Sequence, residues 1–185
     1  MNLLPVLLAA LALPAVAAPK GGKAMTPRFH SFEMKTNAGK PKKLADYKGK
    51  VVLVVNTASR CGLTPQYRGL EELFKKYAPK GLAVAAFPAN EFGAQEPGSD
   101  AEIKTFCELN YKTSFDLFSK IVVKGPGIHP LYGYLTKESP FPGEIGWNFA
   151  KFLVAKDGTV AARFDPRTEP TAAEVVKKVE ELLGK

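Results

Sequence analysis

Residues 51–55, Val-Val-Leu-Val-Val, form an unbroken apolar run, the pattern of a strand buried on both faces rather than one with a wet side. Farther on, Tyr67, Leu70, Phe74 and Tyr77 recur at helical spacing, with Thr64 expected as N-cap and Pro65 in the first turn. Gly81 is the expected helix stop, and residues 82–87 read as a second buried strand ending at Pro88. Ser99 then caps a helix carrying Ile103, Phe106 and Cys107, and Glu102 completes a capping box. The pattern turns irregular over residues 110–118; Ile121-Val122-Val123 predicts a short strand and residues 130–136 a helix. Residues 152–155 and 160–164 flank Lys156-Asp157-Gly158-Thr159, a strong hairpin signal. Thr171 starts a terminal helix with Val175, Val176, Val179, Leu182 and Leu183 on one face. Upstream of the first buried strand, residues 29–34 alternate loosely and Asn37-Ala38-Gly39-Lys40 reads as an edge-hairpin turn. Residues 44–49 then form a connector with one or two buried anchors.

A β-α-β unit, a second helix and a closing hairpin plus helix describe an α/β, thioredoxin-like sandwich. Its central mixed sheet is flanked by helices and carries an N-terminal edge hairpin. At 185 residues the chain is long enough for one domain with a real core, placed at 26–185. Residues 1–17 have a different character. Positions 3–16 are apolar but too short to span a bilayer, and Ala15-Val16-Ala17 offers a small-x-small cleavage site. The stretch resembles a bacterial secretory signal peptide, although Met1-Asn2 lacks the usual lysine or arginine; an uncleaved anchor or a buried N-terminal helix are the alternatives. Residues 18–25 follow as a flexible leader. The expectation is export to the periplasm, where two cysteines meet an oxidising compartment. The net charge of +8 is dispersed along the chain, which describes a solvated surface, and no nucleic-acid partner is expected.

The chemistry gathers at Cys61, on the turn between the first buried strand and the first helix. Unpaired N–H groups and the positive end of that helix favour thiolate over thiol there. His30 and His129 fall in unrelated parts of the pattern, so no Cys/His hydrolase dyad forms, and His129 before Pro130 suits a surface or capping role. Two cysteines and two histidines without short ligand spacing make no zinc site, and no cofactor is expected. Thr64 stands where a Cys-x-x-Cys pair would need its second cysteine, which speaks against a dithiol oxidoreductase. Cys107 has three readings: a small buried core residue, half of a structural disulfide with Cys61, or a functional thiol.

Asn56-Thr57-Ala58-Ser59-Arg60-Cys61-Gly62-Leu63-Thr64-Pro65-Gln66-Tyr67 resembles the active-site signature of the glutathione peroxidase family. Phe87-Pro88-Ala89-Asn90-Glu91-Phe92-Gly93-Ala94-Gln95-Glu96-Pro97-Gly98 resembles its second signature, and Trp147-Asn148-Phe149-Ala150-Lys151-Phe152-Leu153-Val154 its third. The three occur in the family's order and spacing, with similarity from about residue 29 to residue 183. The resemblance implies that Cys61 is the peroxidatic residue of a non-selenium member, with Gln95, Trp147 and Asn148 completing an active-site tetrad. Those side chains are neutral N–H donors able to point at a sulfur anion, each such bond being worth roughly 1.5–3 kcal/mol.

The same resemblance makes Cys107 the resolving cysteine of thioredoxin-dependent members, since Ala89 stands where many members carry another cysteine. It implies a thiol peroxidase acting on hydrogen peroxide and organic hydroperoxides, with peripheral contact to lipid hydroperoxides. Its recycling partner would be a thioredoxin-like protein, glutathione being the alternative. The short segment 132–147 matches the monomeric subgroup. Glu91 and Thr57 depart from a frequent glutamine and a frequent valine; a Glu91 carboxylate close to Cys61 would disfavour the thiolate. A thiol redox sensor would use the same two cysteines, and a purely structural exported domain would keep the fold without turnover.

Overall fold

The computed structural model describes residues 28–184. The expected signal peptide at 1–17 and the flexible leader at 18–25 lie outside the described residues, as does Lys185. Five strands form the main sheet in the order β5-β4-β3-β6-β7. At its centre, β3 (Val51–Thr57) and β4 (Leu82–Pro88) run parallel, and every residue of both is buried, as continuous apolar runs require. The strand β5 (Asp116–Leu117) adds in parallel beside β4. On the other side, β6 (Lys151–Val154) pairs antiparallel with β3, and β7 (Val160–Phe164) closes the sheet through the expected hairpin. Gly158 turns that hairpin at φ +88°. The edge hairpin β1 (Glu33–Lys35) and β2 (Pro41–Lys43) stands apart, tied to the main sheet by a bridge between Thr36 and Phe118.

Alternation along the strands builds two cores. Val52, Val54, Ala83, Ala85, Phe87, Phe152 and Val154 face one side, where Phe29, Leu44 and Tyr47 meet α3 (Pro130–Gly133) and the π-helical turn Tyr134–Glu138 that follows it. Val51, Leu53, Val55, Leu82, Val84, Ala86 and Leu153 face the other. That side is covered by α1 (Gln66–Tyr77), α2 (Asp100–Tyr111) and α4 (Ala173–Leu183) through Tyr67, Leu70, Ile103, Val175 and Val179. Both cysteines belong to this second core. The thioredoxin-like sandwich expected from the pattern is therefore the fold observed.

Several local expectations need correction. Ile121-Val122-Val123 is not a strand: Ile121 N–H donates to Pro88 O, and Val123 N–H to the Glu91 carboxylate. The edge strand forms earlier, at Asp116–Leu117, inside the stretch that looked irregular. Residues 29–31 make a 3-10 turn rather than a strand, and β1 begins at Glu33. The helix after Pro130 widens into a π turn from Tyr134, and α4 begins at Ala173, two positions after Thr171. The capping box of α2 is present in both directions, Ser99 with Glu102, and His129 Nδ1 accepts from Leu131 N–H as a cap.

Candidate active site

Cys61 lies on the turn between β3 and α1, and the way that turn closes differs from expectation. Thr64 is not the N-cap; Pro65 holds that position without a side-chain cap. Thr64 Oγ1 instead accepts from Cys61 N–H at 3.0 Å and donates to Ala58 O at 2.9 Å, stitching the reactive turn to the end of the strand. The N–H groups of Thr64, Gln66 and Tyr67 donate to the carbonyls of Cys61, Leu63 and Thr64, so tight local turns absorb the donors expected to face the thiolate. One backbone donor remains aimed at sulfur: Leu63 N–H lies 3.4 Å from Cys61 Sγ.

Cys61 is 7 % exposed and lines a cavity of about 630 Å³ together with Leu63, Trp147, Asp165, Pro166 and Arg167. Trp147 is 42 % exposed and packs at a tilt against Phe92, so the indole is the accessible side of the cavity and Cys61 its buried side. Asn148 is fully buried, and its Nδ2 donates to Gln95 Oε1 at 2.9 Å. That bond occupies the carbonyl end of the Gln95 amide and leaves its N–H end as the donor. Gln95 is held beside the reactive turn, because Arg60 N–H donates to its backbone carbonyl at 3.0 Å.

The Gln95 loop is itself braced. Glu96 N–H donates to Asn90 Oδ1, Ser59 Oγ donates to the Glu96 carboxylate, and Lys120 Nζ bonds Glu96 O and Gly98 O. Burial pushes the Glu96 carboxyl above its ordinary value, while the Ser59 hydrogen bond and Lys120 oppose that. Glu91 stands elsewhere: its carboxylate accepts from Val123 N–H at 3.0 Å and its charge bears on buried Tyr132. Nothing in this arrangement gives Glu91 a role at the sulfur.

Cys61 and Cys107 are both free thiols. Cys107 is completely buried on α2, and burial raises its thiol to about 11, with the carboxylates of Glu96 and Glu108 adding to the effect. Its neighbour is Tyr67 of α1, whose hydroxyl is also pushed up by burial. Thr57, in place of the family's frequent valine, brings a second hydroxyl to this spot. The Tyr67 hydroxyl bears on both the Thr57 hydroxyl and the Cys107 thiol, and its hydrogen bond partly offsets the effect of burial on Cys107.

Sequence reasoning missed the residues that hold the Trp147-Asn148-Phe149 segment in place. Asn56 Nδ2 donates to Trp147 O at 3.2 Å, and Phe149 N–H donates to Asn56 O at 2.6 Å. Lys151, inside an otherwise apolar buried strand, bonds Phe149 O and Pro166 O. A lysine in a run of buried apolar positions is a visible signal, but its partners are not.

A free thiol on the strand-to-helix turn of a thioredoxin-like fold, sharing a cavity with a tryptophan, fits a thiol-dependent oxidoreductase. The glutathione peroxidase family model matches residues 29–136, stopping before Trp147. The chain is 46% identical over 165 residues to the glutathione peroxidase-like peroxiredoxin 2 of Saccharomyces cerevisiae, covering 87% of this chain and 100% of that one. It is 45% identical over 163 residues to the hydroperoxy fatty acid reductase gpx1 of Synechocystis, covering 84% of this chain and 95% of the relative. Among solved structures, apo Trgpx superposes with a TM-score of 0.70 at 36% identity, over 86% of this chain and 97% of that one. The chain belongs to the glutathione peroxidase family. It is a peroxidase, an oxidoreductase acting on peroxide.

Proposed function

We propose that the protein reduces hydrogen peroxide and organic hydroperoxides, lipid hydroperoxides included, through Cys61, with Gln95, Trp147 and Asn148 as the donors around the reacting atoms. The observation that carries this reading is the setting of Cys61 Sγ, recessed in a cavity with Trp147 as its wall and a backbone N–H aimed at it. The Cys61 thiolate attacks the distal peroxide oxygen and the O–O bond breaks. The leaving oxygen takes up the proton the thiol released and departs as water or alcohol, and the cysteine becomes a sulfenic acid. A cavity of this size has room for an alkyl substituent, and the name of the Synechocystis relative supports a lipid hydroperoxide among the substrates.

Cys107 is the resolving thiol in this reading. Its sulfur displaces the sulfenic hydroxyl; the S–S bond forms, the S–O bond breaks, and the thiol proton leaves with the hydroxyl as water. Complete burial against Tyr67 and a raised pKa keep Cys107 inert in the reduced fold, so the attack requires the end of α2 to open. A thioredoxin-like dithiol protein then reduces the disulfide, a role that the peroxiredoxin name of the yeast relative supports. The short segment 132–147 supports a monomer, and residues 1–17 support export, with the mature chain expected to begin at Ala18 on N-terminal sequencing.

The deciding experiment is peroxide consumption driven by a thioredoxin-type protein or by glutathione, in the parent and in Cys107→Ser. Thioredoxin-driven turnover lost in Cys107→Ser is the expected result, and Cys61→Ser is expected to be inactive with either reductant. Equal glutathione-driven turnover in the parent and Cys107→Ser overturns the two-cysteine cycle.

A further inference from the structure

Lys151 is completely buried on β6, in register with Val55 of β3 on one side and Phe164 of β7 on the other. A buried ammonium is costly to a fold, and an apolar side chain of similar size is commonly neutral or stabilising in such a place. Burial lowers this lysine to about 8, while the charges of Glu169 and Asp165 act to raise it. Its bonds run to main-chain carbonyls: Phe149 O at 2.7 Å and Pro166 O at 3.2 Å.

Those two carbonyls belong to the two segments that supply Trp147 and Pro166 to the Cys61 cavity. Phe149 ends the Trp147-Asn148-Phe149 segment and adopts φ +67°, a left-handed conformation unfavourable for a bulky side chain. It is held there at both ends of its peptide units, N–H to Asn56 O and C=O to Lys151 Nζ. Pro166 lines the cavity beside Arg167, and its carbonyl also accepts from Gln66 Nε2 at 2.8 Å, on the first turn of the helix that follows Cys61. One carbonyl is thus shared between the reactive helix and the lysine that restrains the donor segment.

We propose that Lys151 is a positioning residue for the peroxidase reaction: its ammonium ties the Trp147–Asn148 segment to the Pro166 wall, and Gln66 ties that wall to the Cys61 helix. The proposal rests on the reading of Trp147 and Asn148 as donors to the reacting atoms. It explains why a charge is retained where the strand pattern asks for an apolar residue. Removing the ammonium relieves the fold and loosens the site.

The test is the rate of Cys61 sulfenic-acid formation, by rapid quench and mass spectrometry, in the parent, Lys151→Met and Trp147→Phe. Trp147 is the sole tryptophan, so its fluorescence anisotropy reports the order of the donor segment directly. Lys151→Met is expected to slow oxidation about 10²-fold, as for a donor displaced by an ångström. Trp147 anisotropy should fall while thermal stability holds or rises. Parent-like oxidation in Lys151→Met, or slow oxidation with unchanged anisotropy, overturns the proposal. A rate loss matched by a loss of stability assigns Lys151 to the fold alone and overturns it too. Parent-like oxidation in Trp147→Phe strikes instead at the donor reading. Should Lys151→Met fail to fold, Gln66→Leu cuts the other bond to the Pro166 carbonyl without touching the charge. It is expected to slow oxidation several-fold, and a parent-like rate there counts equally against the proposal.

Discussion

Lys151 sits among Phe152, Leu153 and Val154 in a strand with no exposed residue, and its charge leaves a mark on the pH dependence of folding. Its folded value of about 8 lies below the ordinary lysine value of 10.5, so between those limits the unfolded chain binds more protons than the folded one. Stability contributed at this residue therefore rises with pH across the window from 8 to 10.5. The handicap is complete below about 8 and is on the order of 3 kcal/mol. Urea titrations of the parent and Lys151→Met at pH 7 and pH 10 measure it: the difference in their unfolding free energies should shrink at the higher pH. A difference that stays constant would mean the lysine keeps its ordinary affinity for a proton. Cys61, Gln95, Trp147 and Asn148 stand out in the sequence as candidates because their order and spacing form recognisable signatures. Asn56, Gln66 and Lys151 lie within the same signatures, but their work depends on which carbonyls they reach, and only the folded chain sets that.

Among the elements, α2 determines what Cys107 can do. It starts firmly, with the Ser99–Glu102 box, and ends on Lys112 at φ +53°, a left-handed position held by a residue that is not glycine. Glycine there removes that strain, so Lys112→Gly is expected to stabilise α2 by about 0.5–1 kcal/mol. If Cys107 reaches Cys61 by opening the end of this helix, the same substitution should slow disulfide formation two- to five-fold after one equivalent of peroxide, read by mass mapping of the linkage. Faster linkage in the stabilised variant would contradict an opening step. The hairpin between β6 and β7 gives a second element-scale expectation. Gly158 has φ +88°, and an added Cβ would lie 2.7 Å from the His30 ring. Gly158→Ala should therefore cost more than about 1 kcal/mol, measured by thermal denaturation. The boundaries misjudged from sequence, β5 and the Thr64 turn, share a cause. In both, backbone groups are satisfied by distant or side-chain partners that local propensity does not encode.

On the scale of the whole molecule, the Cys61 cavity joins segments far apart in the chain across one end of a rigid sheet. The central strands are buried on both faces and lie between two cores, so opening of α2 need not disturb them. Hydrogen exchange after one equivalent of peroxide should show faster exchange over residues 104–111, with β3 and β4 as protected as before. Deprotection of β3 and β4 to the same degree would show that oxidation loosens the entire sandwich.

The chain alone carries the order of the principal elements, the two-sided burial of the central strands, the place of Cys61 between β3 and α1, and family membership through its signatures. These are local patterns, and local patterns survive in one dimension. The tertiary structure alone decided that Leu63 supplies the backbone donor to sulfur, that Asn148 orients Gln95, and that Cys107 is sealed against Tyr67. It also decided that Lys151 and Gln66 converge on the Pro166 carbonyl. Each of these is a meeting of groups brought together only by sheet order and helix packing, which no spacing along the chain records.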